Sequence, residues 1–356
     1  MSSGKIKILR DFFFNFLLNR KYKLSYITEG RVWVINQVGK EIISHLNELG
    51  LAKARITTSC LGLRNQIIHF GSVHTFLREN GFRKPHSSNK LVLTWFHFVP
   101  EDKKNKNIIE TQKCLNFIHT SSSITKNNLI NLGVNPEKIV VIPLGVDLSL
   151  FKPVLTSEKQ KLKEKFNIPE NKIVIGSFQK DGVGWEEGLE PKLVKGPDIF
   201  VETVEKLAKN YPVFVLLVGP ARGYVELNLK KRNVPYKNIG YIENFDEVAK
   251  YYNVLDLYSI TSRIEGGPKA ILESWASGVP VVSTKVGIVP DITKDKEDVL
   301  LADIENVSQI VEKAEQIIKD KNLREKLIKN GLKTVQNYSW KKIVQRYHKE
   351  IYSKLL

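Results

Sequence analysis

Two successive series of short β-branched or apolar runs, each run followed by a helical pattern, constrain this chain more than any other feature. The first comprises LSYI (24–27), RITT (55–58), IIHF (67–70), LVLTWF (91–96), FIHT (117–120) and IVVI (139–142). The second comprises KIVIGSF (172–178), VFVLLVG (213–219), NIGYI (238–242), LYSIT (257–261) and VPVVST (279–284). Near-continuous apolar runs suit strands buried on both faces, and helical crossovers between them make the strands parallel. The expected fold is therefore α/β, with two doubly wound, Rossmann-like domains. Such sheets hold ligands at the carboxyl ends of their strands, so the two domains are expected to face each other across a cleft.

GVDLSLFKP (145–153) closes the first series with Gly and Pro, and the charged stretch after it reads as a connector. The expected organisation is a first domain over 1–153, a linker over 154–170, a second domain over 171–335, and a terminal helix over 336–356 that crosses back to the first. At 356 residues the chain is long enough for two cores, so neither disulfides nor metals need replace them. Cys60 and Cys114 form no CxxC pair, which fits a reducing cytoplasm and leaves no structural zinc motif. No run approaches the roughly 18 apolar residues of a membrane span, and 42% apolar with 26% charged residues describes a soluble globular chain.

The formal charge is +17, and residues 1–150 carry 21 basic against 10 acidic side chains. Such an excess points toward phosphate in nucleic acid, lipid headgroups or anionic substrates. Residues 1–23 combine the Phe-rich IKILRDFFFNFLL with Arg20, Lys21 and Lys23, and lack the cleavage site of a signal peptide. Ile6, Leu9, Phe13, Phe16 and Leu17 share a helical stripe. Two readings stand: a helix lying on an anionic membrane surface, or one packed on its own domain.

Chemistry concentrates in TSRIEGGPKAILESWASGVPVVST (261–284), where a strand ends, a Gly-Gly-Pro turn follows and a helix opens with Pro268 at its first position. Free N–H groups at that helix start make an anion site beside Gly266 and Gly267. Glu265 and Glu273 bracket it, and a carboxylate can accept two hydroxyl hydrogen bonds from a sugar diol. The alternative is a capped helix with two solvated acids.

The Glu265-to-Glu273 spacing, the Gly-Pro turn and ASGVPVV, together with GVNPEKIVVIPLGVDLSLFKP (133–153), resemble the family 4 glycosyltransferases of the GT-B class. The resemblance implies retaining transfer of a sugar from a nucleotide-diphosphate donor, held mainly by the second domain, to a glycan or lipid-linked acceptor held by the first, in cell-surface polysaccharide assembly. It implies that Glu273 binds the ribose and Glu265 the donor sugar. Lys195, in the family's Lys-Gly element, would meet the diphosphate, and its place before Pro197 lets a cation and a helix start converge on one anion. Gly240, Tyr241 and Ile242 would surround the base, and His97, in LVLTWFHFVPED (91–102), would lie near the donor sugar and acceptor. Where the family carries Gly-Arg, this chain has GSFQKDGVGWEEG (176–188), with Ser177 at the aligned place and Lys180 the nearest cation. That insertion reads as a loop over phosphate or as a surface insertion. Asp102, His69, Ser72, Glu29 and Gly30 are further candidates for acceptor or phosphate contact.

No Asp-x-Asp pair or His/Cys cluster suggests a metal, so no cofactor is expected beyond the nucleotide-sugar substrate. A sugar-nucleotide epimerase on the same scaffold is the enzymatic alternative. A basic nucleic-acid-binding protein is the alternative of another class, but the chain has no zinc-finger, RRM-type or basic-helix signature, so nucleic acid is not an expected partner. The expected location is cytoplasmic, peripheral on the inner face of the membrane.

Overall fold

The computed structural model describes residues 3–19, 21–30, 34–78 and 81–356, and the chain divides into two compact units, 1–145 with 340–356, and 146–339. The first unit is built on six parallel strands, β1 (Leu24–Ile27), β2 (Ala54–Thr57), β3 (Ile67–Phe70), β4 (Lys90–Thr94), β5 (Phe117–Thr120) and β6 (Ile139–Val141), in the order β2-β1-β3-β4-β5-β6. β1 and β3 are buried along their whole length, as strands covered by helices on both faces must be. Its helices include α1 (Ser3–Leu18), α2 (Val34–Glu48), α3 (Lys104–Thr111) and α4 (Ser123–Asn131). Ile27, Ile68, Phe70, Leu93, Ile118 and Leu129 fill the core of one face.

The second unit repeats the plan with β7 (Ile173–Phe178), β8 (Val213–Val218), β9 (Tyr236–Asn238), β10 (Leu257–Ile260), β11 (Val281–Thr284) and β12 (Leu300–Ala302), all parallel and ordered β9-β8-β7-β10-β11-β12. Strand order reverses between β7 and β10, which makes their carboxyl ends the topological switch point. Its helices include α5 (Thr156–Lys165), α6 (Pro197–Ala208), α7 (Gly223–Lys231), α8 (Lys269–Ala276), α9 (Val307–Lys319) and α10 (Lys321–Val335). Two apolar clusters cover the faces of this sheet, one around Leu216, Tyr258 and Trp275, the other around Phe200, Leu217 and Ile310.

Residues 146–170, read from sequence as the end of the first domain and a connector, fold with the second unit. Phe151 and Phe166 lie in its core, Phe166 stacks on Tyr251 with ring centroids 4.4 Å apart, and Lys159 of α5 pairs with Asp256 at 2.8 Å. Charged helices look like connectors in a sequence because the few aromatic anchors that dock them are too sparse to form a periodic stripe. The terminal helix α11 (Trp340–Glu350) and the residues after it belong to the first unit, where a Cβ added to Gly145 would lie 2.5 Å from the Trp340 ring. Among the described residues no helix is long and apolar enough to cross a membrane.

Three local details differ from expectation. NIGYI is not a strand: β9 ends at Asn238, whose side-chain oxygen accepts from the Gly240 N–H at 2.9 Å, and Gly240 turns the chain at φ +76°. Pro268 has an extended ψ of +97° and precedes the helix, so α8 opens at Lys269. β12 was not among the expected strands, because three residues between acidic turns are too few to show a period.

Candidate active site

The site is assembled by two loops that follow the two switch-point strands. The first leads from β7 into a single tight turn over Leu193–Lys195, then into α6 through Gly196 at φ +62° and Pro197. The second follows β10 and runs from Thr261 to Pro268. They are zipped together: Arg263 and Ile264 donate backbone N–H bonds to Val194 O at 2.9 and 3.1 Å, and the Thr261 hydroxyl donates to Gly196 O at 2.9 Å. A Cβ on Gly196 would collide with Thr261 O, so only glycine allows this approach. Arg263 clamps Asp198, in the first turn of α6, with two bonds of 2.8 Å, and this guanidinium holds the Asp198 carboxyl below its ordinary range.

That zipper brings Lys195 to Glu265, with Nζ 2.6 Å from Oε1, and the Ser262 hydroxyl donates to the same oxygen at 3.0 Å. The pair is partly covered, with side chains 23% and 12% exposed, so it is shielded from bulk water yet reachable by a ligand. Lys192 precedes Lys195 by three residues across the tight turn closed by Lys195 N–H to Lys192 O at 2.8 Å, a spacing that puts side chains on one side of such a turn. Burial first, and then the charges of Lys195 and Lys180, pull the Lys192 ammonium below its ordinary value, while Glu265 acts the other way. Lys180, Lys192 and Lys195 thus share one electropositive locality beside Glu265, an arrangement suited to a multiply charged anion.

The inserted loop is docked on the protein. Arg222, wholly buried in the turn between β8 and α7, donates to Ser177 O at 2.5 Å and to the Ser177 hydroxyl at 3.1 Å. Its Nε lies 3.0 Å from Asp181 Oδ1, close enough for charge attraction but angled off the line of a hydrogen bond. Burial pushes the Asp181 carboxyl up, with Arg222 opposing it. The loop then folds along the β8–α7 turn, with Gly223 N–H on Glu187 O at 2.7 Å and Tyr224 N–H on Gly188 O at 2.9 Å. Lys180, carried by this loop, sits 4.3 Å from the centroid of the Trp185 ring.

Glu273 is buried on α8, where Tyr252 donates its hydroxyl to Oε2 at 2.9 Å and Lys269 lies 3.2 Å from Oε1. Burial and then the Glu273 charge hold the Tyr252 phenol well above its ordinary value, so it remains a donor. Gly266 and Gly267 link Glu265 to Pro268, and a Cβ on Gly287 would lie 2.6 Å from Gly266 O, which fixes this turn from behind. Gly240, Tyr241 and Ile242 lie beyond β9, with Tyr241 exposed. Among the described residues no group of three or more His, Cys, Asp or Glu side chains is arranged to hold a metal.

In the first unit, His97 stands exposed in the segment after β4, and Asp102 caps the start of α3 by accepting from Lys104 N–H at 2.9 Å. His69 does not reach a surface. It is fully buried, with Nδ1 2.7 Å from the Tyr352 hydroxyl and Nε2 2.7 Å from Thr94 Oγ1, so it is withdrawn as a substrate contact. The Ser72 hydroxyl donates to Glu29 Oε1 at 3.0 Å, and Gly30 turns at φ +73°. Sequence reasoning missed Lys192, Arg222, Arg263, Tyr252 and Lys269. Lys192 was readable from its spacing to Lys195, and Lys269 from its place one helical turn before Glu273, whereas the other three act across loops distant in sequence.

With this geometry in view, the comparisons are specific. Residues 189–334 match the model of the family "Glycosyl transferases group 1". An uncharacterised glycosyltransferase of Methanocaldococcus jannaschii is 29% identical over 45% of this chain and 45% of its own length. A UDP-Gal:alpha-D-GlcNAc-diphosphoundecaprenol alpha-1,3-galactosyltransferase of Escherichia coli is 28% identical over 76% of this chain and 66% of its own. The chain therefore spans less than two thirds of either relative. The crystal structure of Anabaena HepE in complex with UDP and glucose superposes with a TM-score of 0.74, at 16% identity, over 93% of this chain and all of that one. The fold is GT-B, two Rossmann-like units in one chain. The match to the group 1 glycosyltransferase family lies wholly within the second unit.

Proposed function

We propose that the protein is a retaining glycosyltransferase that moves a sugar from a nucleoside-diphosphate donor to a glycan or lipid-linked acceptor in cell-surface polysaccharide assembly. The observation that carries this reading is the meeting of Lys195 and Glu265 at the switch point, with Lys192 and Lys180 alongside. In the proposed reaction the bond from the anomeric carbon to the diphosphate breaks while a bond to the acceptor oxygen forms on the same face. The acceptor proton leaves with the diphosphate. The leaving group gains negative charge as the bond breaks, so Lys195, Lys192 and the start of α6 stabilise the transition state more than the ground state. Glu265 lies close enough to Lys195 to hold it in place and to accept from a sugar hydroxyl. Glu273, fixed by Tyr252 and Lys269, is assigned to the ribose, and Gly240 to Ile242 to the base. The chemistry needs no metal ion if these cations supply the charge. The lipid-diphosphate acceptor in the name of the Escherichia coli relative makes such an acceptor the first to try.

The test is a thermal-shift panel of nucleoside diphosphates and their sugars, UDP first because HepE was crystallised with it. A ligand at about 100 times its Kd stabilises the native state by about 2.7 kcal/mol, which reads as a melting shift of several degrees. Failure of every nucleotide at millimolar concentration would sink the reading. Chelation by EDTA is expected to leave turnover unchanged, and a loss restored by magnesium would overturn metal independence. Isomerised donor in the absence of acceptor would favour an epimerase.

A further inference from the structure

Helix α1 is mounted with its polar side inward. Asn15 is buried, and its amide donates to Ser59 O at 3.1 Å and Leu61 O at 2.8 Å, while its oxygen accepts from Arg55 Nη2 at 2.9 Å. One turn on, Asn19 donates to Gly62 O at 2.8 Å and accepts from Arg64 N–H at 2.9 Å and Gln66 Nε2 at 2.8 Å. Gly62 adopts φ +81°, and a Cβ there would lie 2.4 Å from Phe12 O, so helix and loop touch backbone to backbone.

Helical spacing then puts Phe13 and Leu17 opposite Asn15, with Phe14 and Phe16 on the flanks. Their exposures agree: Phe13 60%, Phe14 61%, Phe16 55% and Leu17 76%. Leu61, on the loop beneath, is also exposed, and the Phe12 and Phe16 rings stack on each other at 6.3 Å. An ordinary amphipathic helix buries such a face; this one is anchored by amide hydrogen bonds and turns the face to water.

Charge identifies the occupant. Residues 1–23 hold six basic side chains, Lys5, Lys7, Arg10, Arg20, Lys21 and Lys23, against Asp11 alone. Arg10, one helical turn before Phe13 and Phe14, and Lys21 and Lys23, just past the end of α1, are exposed. Phe and Leu at the depth of the acyl boundary, with cations at the level of lipid phosphates, make an interfacial helix for an anionic bilayer. We propose that the outward face of α1 is a docking surface for an anionic membrane, with α1 lying in the plane of the interface. This goes beyond the donor site and does not depend on transfer, although it would bring a lipid-linked acceptor within reach.

The test uses the full chain and vesicles of phosphatidylcholine with or without phosphatidylglycerol. Sedimentation with the anionic vesicles is expected, weakened by salt and by removal of phosphatidylglycerol. Phe13→Ser, Phe16→Ser and Leu17→Ser together should raise the half-saturating lipid concentration at least about tenfold, with far-UV circular dichroism and nucleoside-diphosphate binding unchanged. Because that binding is read in the same samples, loss of docking and failure of the glycosyltransferase reading are separately visible. Equal sedimentation of wild type and triple variant would overturn the proposal. A wild-type dimer converted to monomer by the triple substitution, without vesicle binding by either, would assign the face to a second copy of the chain and also overturn it.

Discussion

The two units share one topology and use the carboxyl ends of their central strands in opposite ways. In the second, the loops after β7 and β10 bring Lys195, Lys192 and Glu265 into a partly covered, charged site. In the first, β3 to β5 place His69, Thr94 and His119 side by side, and the C-terminal segment seals them. His69 meets the Tyr352 hydroxyl, His119 Nε2 lies 2.9 Å from the Tyr347 hydroxyl, and Thr94 Oγ1 lies 3.0 Å from His119 Nδ1. Titratable groups at equivalent edges thus stay within reach of a ligand in one unit and serve cohesion in the other. What separates them is whether another segment occupies the edge, which topology alone does not reveal.

Breaking the scaffold under the charged edge should have the largest effect. Arg222→Met strands Asp181 in a fully buried position, and removing one partner of such a pair costs about 3–5 kcal/mol. Chemical denaturation should show this loss, and nucleoside-diphosphate binding should weaken with it as the loop carrying Lys180 detaches. The double variant Arg222→Met, Asp181→Leu should recover much of the stability without restoring the binding. Lys195→Ala comes next. Losing one donor to a developing anion commonly lowers turnover about 100- to 1,000-fold, or about 2.7–4 kcal/mol, and Glu265→Ala should fall in the same range. Both variants should melt near the wild type, because the pair is only partly buried. Near-normal turnover in both would erase the contrast between the two edges.

The legibility of the sequence follows the same division. Strands with long apolar runs, such as Val213–Val218, could be read because burial on both faces dictates their composition. That Lys195 and Glu265 share one edge was readable because a turn, a proline and a helix start stand next to them in the chain. Arg222 and Tyr252 were not, since their partners Ser177 and Glu273 lie 45 and 21 residues away, and a spacing of that kind has no period. His69 misled for a related reason. A histidine at a strand end looks the same in sequence whether solvent or Tyr352 lies beyond it.

Acid should act on the sealed edge selectively. Burial lowers the His119 pKa to about 4, and burial together with His119 lowers that of His69 well below its ordinary value. Both are depressed relative to the unfolded chain, whose histidines titrate near about 6.5. Stability is therefore fully present above about pH 6.5 and is lost as pH falls toward 4, since the unfolded state then binds protons that the native state refuses. For His119 alone the loss is about 3 kcal/mol. Melting curves between pH 7 and pH 4 should show it, and Tyr347→Phe should not remove it, because burial rather than that hydroxyl sets the shift. A flat profile would mean that the edge admits water.

Lys192→Gln is the finest probe of the open edge. Lys192 and Lys195 lie three residues apart across one tight turn, yet only Lys195 makes a close ion pair with Glu265. Lys192 therefore contributes charge without holding another residue in place. Its loss should weaken nucleoside-diphosphate binding about tenfold, near 1.4 kcal/mol, the size of a single charge-assisted contact. If Lys192 meets the phosphate farther from the ribose, nucleoside-monophosphate binding should change less. Calorimetric titration of both nucleotides on wild type and variant separates the two. An equal loss for both would show that Lys192 acts through the general field of the basic cluster, and an unchanged diphosphate affinity would return the role of second cation to Lys180.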